Sequence, residues 1–168
     1  MKLELKHLAP YLPYGLNLKY EQEGDVRKLV YLDLQSPDRI GMNVKPLLYP
    51  LSYLTKEITV DGKTFVPMVE LAKLSLDTDK PFQLHDRRLE AITRHSSINY
   101  PNAVYKTFSF TKDESSFTVS VLDSDFKTIC CYSVAKQLQL FQKLYEWHFD
   151  LENLIEQNLA IEKTTIKQ

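Results

Sequence analysis

Residues 136–159 carry the most regular pattern of apolar side chains in the chain, and this pattern constrains the fold more than any other feature. With residues spaced about 100° apart around a helix axis, polar side chains form one narrow stripe and apolar side chains cover the opposite side. The polar stripe contains Gln139, Gln142, Lys143, Glu146, Asp150, Asn153 and Gln157. The pattern predicts one amphipathic helix about 30 Å long, whose wide apolar arc needs cover from more than one side.

The charges along this predicted helix oppose its macrodipole. Lys136 and Lys143 lie toward the N-terminal end, whereas Glu146 and Asp150 lie toward the C-terminal end, where the dipole is negative. One interpretation is a solvated acidic face. The other is a docking surface for a basic partner, formed by Glu146, Asp150, Asn153 and Gln157.

His148 lies in the middle of the predicted apolar arc. A histidine in such a position either hydrogen-bonds to a neighbour or to a backbone carbonyl, or it serves as a ligand or a catalytic base. Alternate residues of a helix lie about 200° apart, so His148 shares no face with Glu146 or Asp150. The string EWHFD is therefore not a metal motif, and His148 is predicted to be a buried polar residue.

The length and composition predict one globular domain. With 168 residues, 43% of them hydrophobic, we expect this domain to cover residues 1–161, followed by a frayed tail at 162–168. The start of the chain is charged and no apolar stretch reaches the length of a membrane span, so we expect a cytoplasmic protein without a membrane partner. The formal net charge of −1 provides no general attraction for nucleic acid, although a local basic patch remains possible.

Alternation of apolar and polar residues predicts two groups of strands. The first is a hairpin of residues 16–20 and 26–34, and the second is an antiparallel meander of residues 104–110, 117–121 and 126–132. Between them we expect a tight hairpin around Asp61-Gly62 and short helices at residues 51–57, 67–76 and 85–95. The predicted fold class is α+β, with hairpin and meander strands packed on the long C-terminal amphipathic helix and short helices between.

The chain shows no motif for a nucleotide, a metal or a catalytic nucleophile. Its four glycines are isolated, so they cannot form a phosphate-cradling loop. Cys130 and Cys131 are the only cysteines, and we interpret these adjacent residues as small hydrophobic side chains. We therefore predict no cofactor, no metal site and no catalytic residue.

The most basic segment is the predicted helix at residues 85–95. Arginine binds phosphate and aromatic rings stack on bases, and Tyr100 and Tyr105 lie close in sequence. Asp86 and Glu90 dilute the positive charge, and arginines on a surface helix are often solvated or paired with acids. The candidate nucleic-acid contacts are Arg87, Arg88 and Arg94.

Three segments carry a resemblance: residues 3–16 (LELKHLAPYLPYGL), residues 50–58 (PLSYLTKEI), and residues 140–150 (LFQKLYEWHFD) with LAI at 159–161. Together they resemble a group of short uncharacterised proteins encoded in gut-bacterial, Bacteroidetes-type genomes and their prophages. Residues 77–135 contribute little. The resemblance implies a small intracellular accessory protein of phage or mobile-element origin, and it implies no activity, cofactor or site residue.

Three functions follow as hypotheses. The first is a non-catalytic protein-interaction module that binds an unknown protein partner or a second copy of itself, through the acidic end of the predicted long helix. The second is a nucleic-acid-binding accessory protein that uses Arg87, Arg88 and Arg94. The third is an enzyme whose site is assembled by the fold around His148.

Overall fold

The structure, a computed structural model, describes residues 2–20, 25–29, 44–76, 78, 80–112 and 115–163. The chain divides into two compact units, each described here by itself. We call Met1–Leu51 with Phe141–Gln168 the terminal unit, and Ser52–Leu140 the central unit. The mixed α and β composition is confirmed, whereas the single domain over residues 1–161 stays a prediction.

The helices and strands follow one another in short elements. In chain order they are α1 (Leu5–Leu8), a 3-10 helix (Ala9–Tyr14), β1 (Asn17–Tyr20), β2 (Val26–Lys28), β3 (Val44–Leu48), a 3-10 turn (Leu51–Tyr53), β4 (Ile58–Val60), β5 (Lys63–Phe65), α2 (Pro67–Leu76), β6 (Gln83–His85), a 3-10 turn (Asp86–Arg88), β7 (Glu90–Arg94), β8 (Tyr105–Thr111), β9 (Ser116–Leu122), β10 (Thr128–Ser133), α3 (Gln137–Glu146) and β11 (Ile161–Glu162). The short helix predicted at residues 51–57 is thus only the 3-10 turn.

The terminal unit contains a four-stranded sheet in the order β11-β3-β1-β2. β1 pairs antiparallel with β2 and β3, whereas β11 pairs parallel with β3. The predicted first hairpin is therefore confirmed, and its continuation over residues 30–34 lies outside the described residues. Glu162, which was predicted to start the frayed tail, pairs with Leu48, and residues 164–168 lie outside the described residues. The core of the unit includes Leu8, Tyr11, Leu16, Leu48 and Leu154.

The central unit contains a five-stranded antiparallel sheet in the order β10-β9-β8-β7-β6 and a separate hairpin of β4 and β5. The predicted meander is confirmed as β8, β9 and β10. The tight hairpin is also confirmed, because Asp61 and Gly62 have the positive φ angles, 49° and 77°, that a two-residue turn needs. Helix α2 begins at Pro67, as predicted, and lies against β7.

The helix predicted at residues 85–95 is wrong. Strand β6, the 3-10 turn and strand β7 occupy this segment, and Leu89 adopts a left-handed φ of 48° between the turn and β7. Leu89 and Ile92 have the spacing of one helical face, and this spacing favours a helix when the segment is considered alone. The segment forms a strand because β7 pairs with β8, and this pairing buries Ala91, Ile92 and Thr93 in succession.

The long helix predicted at residues 136–159 is also wrong, because α3 ends at Glu146. His148 has a left-handed φ of 62°, and its backbone N–H donates to the Tyr145 carbonyl. The N–H of Phe149 donates to the carbonyl of Leu144, and both of these side chains are fully buried. These two hydrogen bonds form a Schellman motif, which closes the C-terminus of a helix.

Beyond this motif the backbone pairs with a distant segment. Phe149 forms a parallel bridge with Tyr49, because Tyr49 N–H donates to the His148 carbonyl and Asp150 N–H donates to the Tyr49 carbonyl. Both hydrogen bonds have a length of 2.8 Å. Asn158 has a left-handed φ of 57° and lies at the end of a turn.

Tyr11 is a buried tyrosine whose hydroxyl donates to the Phe149 carbonyl over 2.6 Å. Burial raises the pKa of the Tyr11 phenol above its ordinary value, and the negative charge of Asp150 adds to the rise. The folded state therefore holds this proton more tightly than the unfolded state. The resulting stability is complete below about pH 10 and is lost as the pH rises further.

Replacing Tyr11 by phenylalanine is expected to reduce the loss of stability at alkaline pH. At neutral pH the variant loses about 1 kcal/mol with the hydrogen bond to Phe149. The measurement is urea unfolding across neutral and alkaline pH, followed by the fluorescence of Trp147, the only tryptophan. Equal alkaline losses in the wild type and in Y11F would contradict the role of Tyr11.

Candidate ligand-binding face

The two faces of the central sheet differ because side chains alternate along β8 and β9. On the middle strands, one face, which we call the buried face, carries the half-buried Lys106 and five buried apolar side chains. The five apolar side chains are Phe108 and Phe110 on β8, and Phe117, Val119 and Val121 on β9. The other face carries the intervening hydroxyl residues, and we call it the open face.

Hydroxyl side chains line the middle of the open face. They are Thr107, Ser109 and Thr111 on β8, and Ser116, Thr118 and Ser120 on β9. The Ser109 and Thr118 hydroxyls lie 2.9 Å apart across the two strands. Thr107 is only 5% exposed, and its hydroxyl has no hydrogen-bond partner within the described part of the chain. Hydroxyl groups in such a position can form hydrogen bonds to a polar ligand.

Two adjacent cavities occupy the open face. The larger has a volume of about 670 Å³, and its lining includes the 3-10 turn Asp86–Arg88, Thr107, Ser120 and Phe126. The smaller has a volume of about 530 Å³, and its lining includes Lys80, Phe82, Arg94 and Tyr105. Ile92 lines both cavities, so they are neighbours. Volumes of this size are typical of ligand sites.

An aromatic pair joins the two cavities. The rings of Tyr105 and Phe126 are stacked, with centroids 4.6 Å apart and planes 10° apart. Tyr105 lines the smaller cavity and Phe126 lines the larger one. Phe126 is 55% exposed and belongs to the turn between β9 and β10.

The turn that presents Phe126 is fixed by Asp123. One oxygen of the Asp123 carboxylate accepts hydrogen bonds from the backbone N–H groups of Asp125 and Lys127, both 2.9 Å long. The Asp123 carbonyl also accepts a bond from the N–H of Phe126. These bonds hold Phe126 at a left-handed φ of 60°, a conformation that costs an aromatic residue about 1–2 kcal/mol.

The lining of the two cavities carries more positive than negative charge. Arg87, Arg88, Arg94 and Lys80 provide four cations, whereas Asp86 and Glu90 provide two carboxylates. Within the described ranges, none of the three arginines forms an ion pair or a side-chain hydrogen bond. Burial raises the pKa of the Glu90 carboxyl above its usual range, and the charges of Arg88 and His85 oppose that rise.

The structure thus brings the three predicted arginines to one face, although not on a helix. Arg87 and Arg88 reach it from the 3-10 turn, and Arg94 reaches it from the end of β7. Sequence reasoning missed Phe126, which lies far along the chain from the arginines. The alternation of serine and threonine with phenylalanine and valine in β8 and β9 is the signal that could have indicated an open hydroxyl face.

The predicted acidic docking surface does not exist as one helical stripe. Glu146 is on α3 and pairs with Lys143 at 2.8 Å. Asp150 lies beyond the helix and is 4% exposed, and its two oxygens accept the backbone N–H groups of Leu154 and Ile155. Asn153 has a left-handed φ of 57°, and Gln157 donates to the Glu152 carbonyl. Asp150 is therefore unavailable to a partner.

His148 is a buried residue, 7% exposed. Its Nε2 lies 3.2 Å from the Tyr14 carbonyl, which can only accept, so Nε2 carries the proton. This geometry occupies one ring nitrogen in a structural bond. Within the residues that the structure describes, no group of three or more histidine, cysteine, aspartate or glutamate side chains is arranged to hold a metal ion.

Comparisons of the chain with protein-family models, with curated proteins and with solved structures gave no match. The resemblance to gut-bacterial and prophage proteins therefore stays a prediction. Over the described ranges, the helices are too short or too polar to cross a lipid bilayer.

Proposed function

We propose that the protein is a nucleic-acid-binding accessory protein and that the open face of the central sheet is its binding site. The observation that carries the proposal is the set of three arginines without ion pairs in the described part of the chain. Arg87, Arg88 and Arg94 line two adjacent cavities of that face. Arginine donates two parallel hydrogen bonds to phosphate oxygens, so it suits a phosphate backbone better than a point charge does.

The balance of charge supports the same ligand. The chain as a whole has a net charge of −1, but the cavity lining has four cations and two carboxylates. A local excess of positive charge attracts a polyanion and releases its counterions on binding.

The hydroxyl groups of the open face add a second kind of contact. Serine and threonine hydroxyls commonly donate to phosphate and sugar oxygens, which position nucleic acid without reading its sequence. Thr107, Ser120 and Thr128 line the larger cavity together with Arg87 and Arg88. This arrangement supports binding with little sequence preference.

The other two hypotheses have less support. A protein-interaction module was predicted to use the acidic end of a long helix, but this helix ends at Glu146 and Asp150 is buried. An enzyme built around His148 would need a free ring in a cleft, whereas His148 is buried and bound to Tyr14. Binding to an unknown protein partner, self-association and catalysis therefore stay predictions. We also propose that the protein is cytoplasmic and of phage or mobile-element origin.

Replacing the three arginines by glutamine is expected to weaken nucleic-acid binding by about 100-fold at low salt, since each lost phosphate contact costs about 1 kcal/mol or more. The measurement is the fluorescence anisotropy of labelled mixed-sequence DNA, both single-stranded and duplex, titrated with wild type and with R87Q/R88Q/R94Q.

The matched control is K6Q/K73Q/K143Q, which removes the same number of positive charges from three lysines that each pair with a neighbouring carboxylate. Its affinity should stay within a few-fold of the wild type. Two outcomes would overturn the proposal. Either the wild type binds neither form of DNA, or both triple variants lose the same affinity.

A further inference from the structure

Phe126 is placed where an apolar side chain is costly. More than half of the residue is exposed, and its backbone is held at a positive φ by the hydrogen bonds to Asp123. Aspartate or asparagine would adopt that backbone conformation at less cost. Residues held in an unfavourable backbone conformation of this kind are concentrated at binding and active sites.

The ring of Phe126 is also oriented by a second aromatic ring of the central sheet. Tyr105 stacks on it almost in parallel, which leaves one face of the Phe126 ring for another flat group. Arg87 and Arg88 belong to the same cavity lining as Phe126, and Arg94 belongs to the same lining as Tyr105. The open face thus combines three arginines with two aromatic rings.

We infer that the ligand is a single strand of nucleic acid, whose bases stack on Phe126 and Tyr105 while its phosphates contact Arg87, Arg88 and Arg94. This inference rests on the proposed function. In a duplex the bases are stacked on one another, so their faces are unavailable to a protein ring. In a single strand they are free, and sheets that hold single strands combine aromatic platforms with a positively charged groove.

The test compares single-stranded with duplex DNA of the same sequence for the wild type, F126A and F126W. The single strand is expected to bind the wild type more tightly than the duplex does. F126A should weaken single-strand binding by about 10- to 100-fold and change duplex binding little, because one base-stacking platform is removed. F126W should restore single-strand binding, since tryptophan provides a larger stacking surface.

The control is Y132A. Tyr132 is 46% exposed on β10 and pairs with Val119, so it lies on the side of the sheet opposite the open face. Its replacement should leave both affinities unchanged. A melting curve for each variant establishes that it is folded. Folding is expected because the side chains of Phe126 and Tyr132 are exposed.

The outcomes separate this inference from the proposed function. Equal binding of single strand and duplex, with no effect of F126A, would overturn the inference and leave the proposed function standing. Absence of binding to either form would overturn both. Binding of an acidic peptide in place of DNA, with the same dependence on Phe126, would show that the face takes a protein ligand and would also overturn both.

Discussion

Replacing Asp150 by alanine is expected to lower the free energy of unfolding of the terminal unit by about 2–4 kcal/mol. The Asp150 carboxylate is 4% exposed and accepts the N–H groups of Leu154 and Ile155 at 2.8 and 2.9 Å. Alanine removes both acceptors and leaves two backbone donors without them. Because both donors lie in a buried or half-buried segment, water replaces the lost carboxylate poorly.

The measurement is urea unfolding followed by the fluorescence of Trp147, which lies three residues before Asp150. D150N, which keeps one acceptor oxygen, should lose less stability than D150A. The control is E146Q, because the Glu146 pair with Lys143 is on the surface and contributes about 0.5 kcal/mol or less. Equal losses of unfolding free energy in D150A and E146Q would contradict the burial of Asp150 and favour an exposed helical position for it.

Replacing Phe117 by alanine is expected to destabilise the central unit by about 3–5 kcal/mol. Phe117 is fully buried and contacts Phe108 and Phe110, with ring centroids 5.3 and 4.9 Å away. Its neighbour Thr118 points to the open face, and its hydroxyl lies 2.9 Å from the Ser109 hydroxyl across the strands. T118A should therefore cost about 1 kcal/mol or less.

These two variants test whether side chains of the open face contribute little to the stability of the central unit. Far-UV circular dichroism in urea measures the stability of each variant, and hydrogen exchange of β8 and β9 assigns the change to the central unit. F117L gives a smaller loss if F117A does not fold. Similar losses in F117L and T118A would contradict the division of the sheet into a buried face and an open face.

Local signals in the sequence predicted the elements that depend on few residues. The Asp61-Gly62 turn, the start of α2 at Pro67 and the alternation in β8, β9 and β10 each have a short-range cause. These elements were predicted at nearly their observed positions. The fold class followed from them.

Two long-range pairings account for the wrong helices. The apolar spacing of residues 136–159 continues past Glu146, but Phe149 pairs with Tyr49, about a hundred residues earlier in the chain. In the same way, β7 is a strand because β8 provides its partner. Periodicity within one segment contains no information about such partners, so it favoured a helix in both places.

The candidate site was predictable only in part. Arg87, Arg88 and Arg94 were visible as a basic cluster, and Tyr105 was visible as a nearby ring. Phe126 was not visible as part of the site, because its ring reaches Tyr105 only through the antiparallel pairing of β8, β9 and β10. The absence of ion pairs at the arginines, within the described residues, likewise required the fold.

The most direct test of the central claim is the salt dependence of single-strand binding by the wild type and by R87Q/R88Q/R94Q. Each phosphate contact in a single strand contributes about 0.7 to the slope of log affinity against log salt concentration, so the triple variant should lose about 2 from that slope. A reduced slope together with a reduced affinity would support a binding site at the open face. An unchanged slope in the triple variant would contradict it.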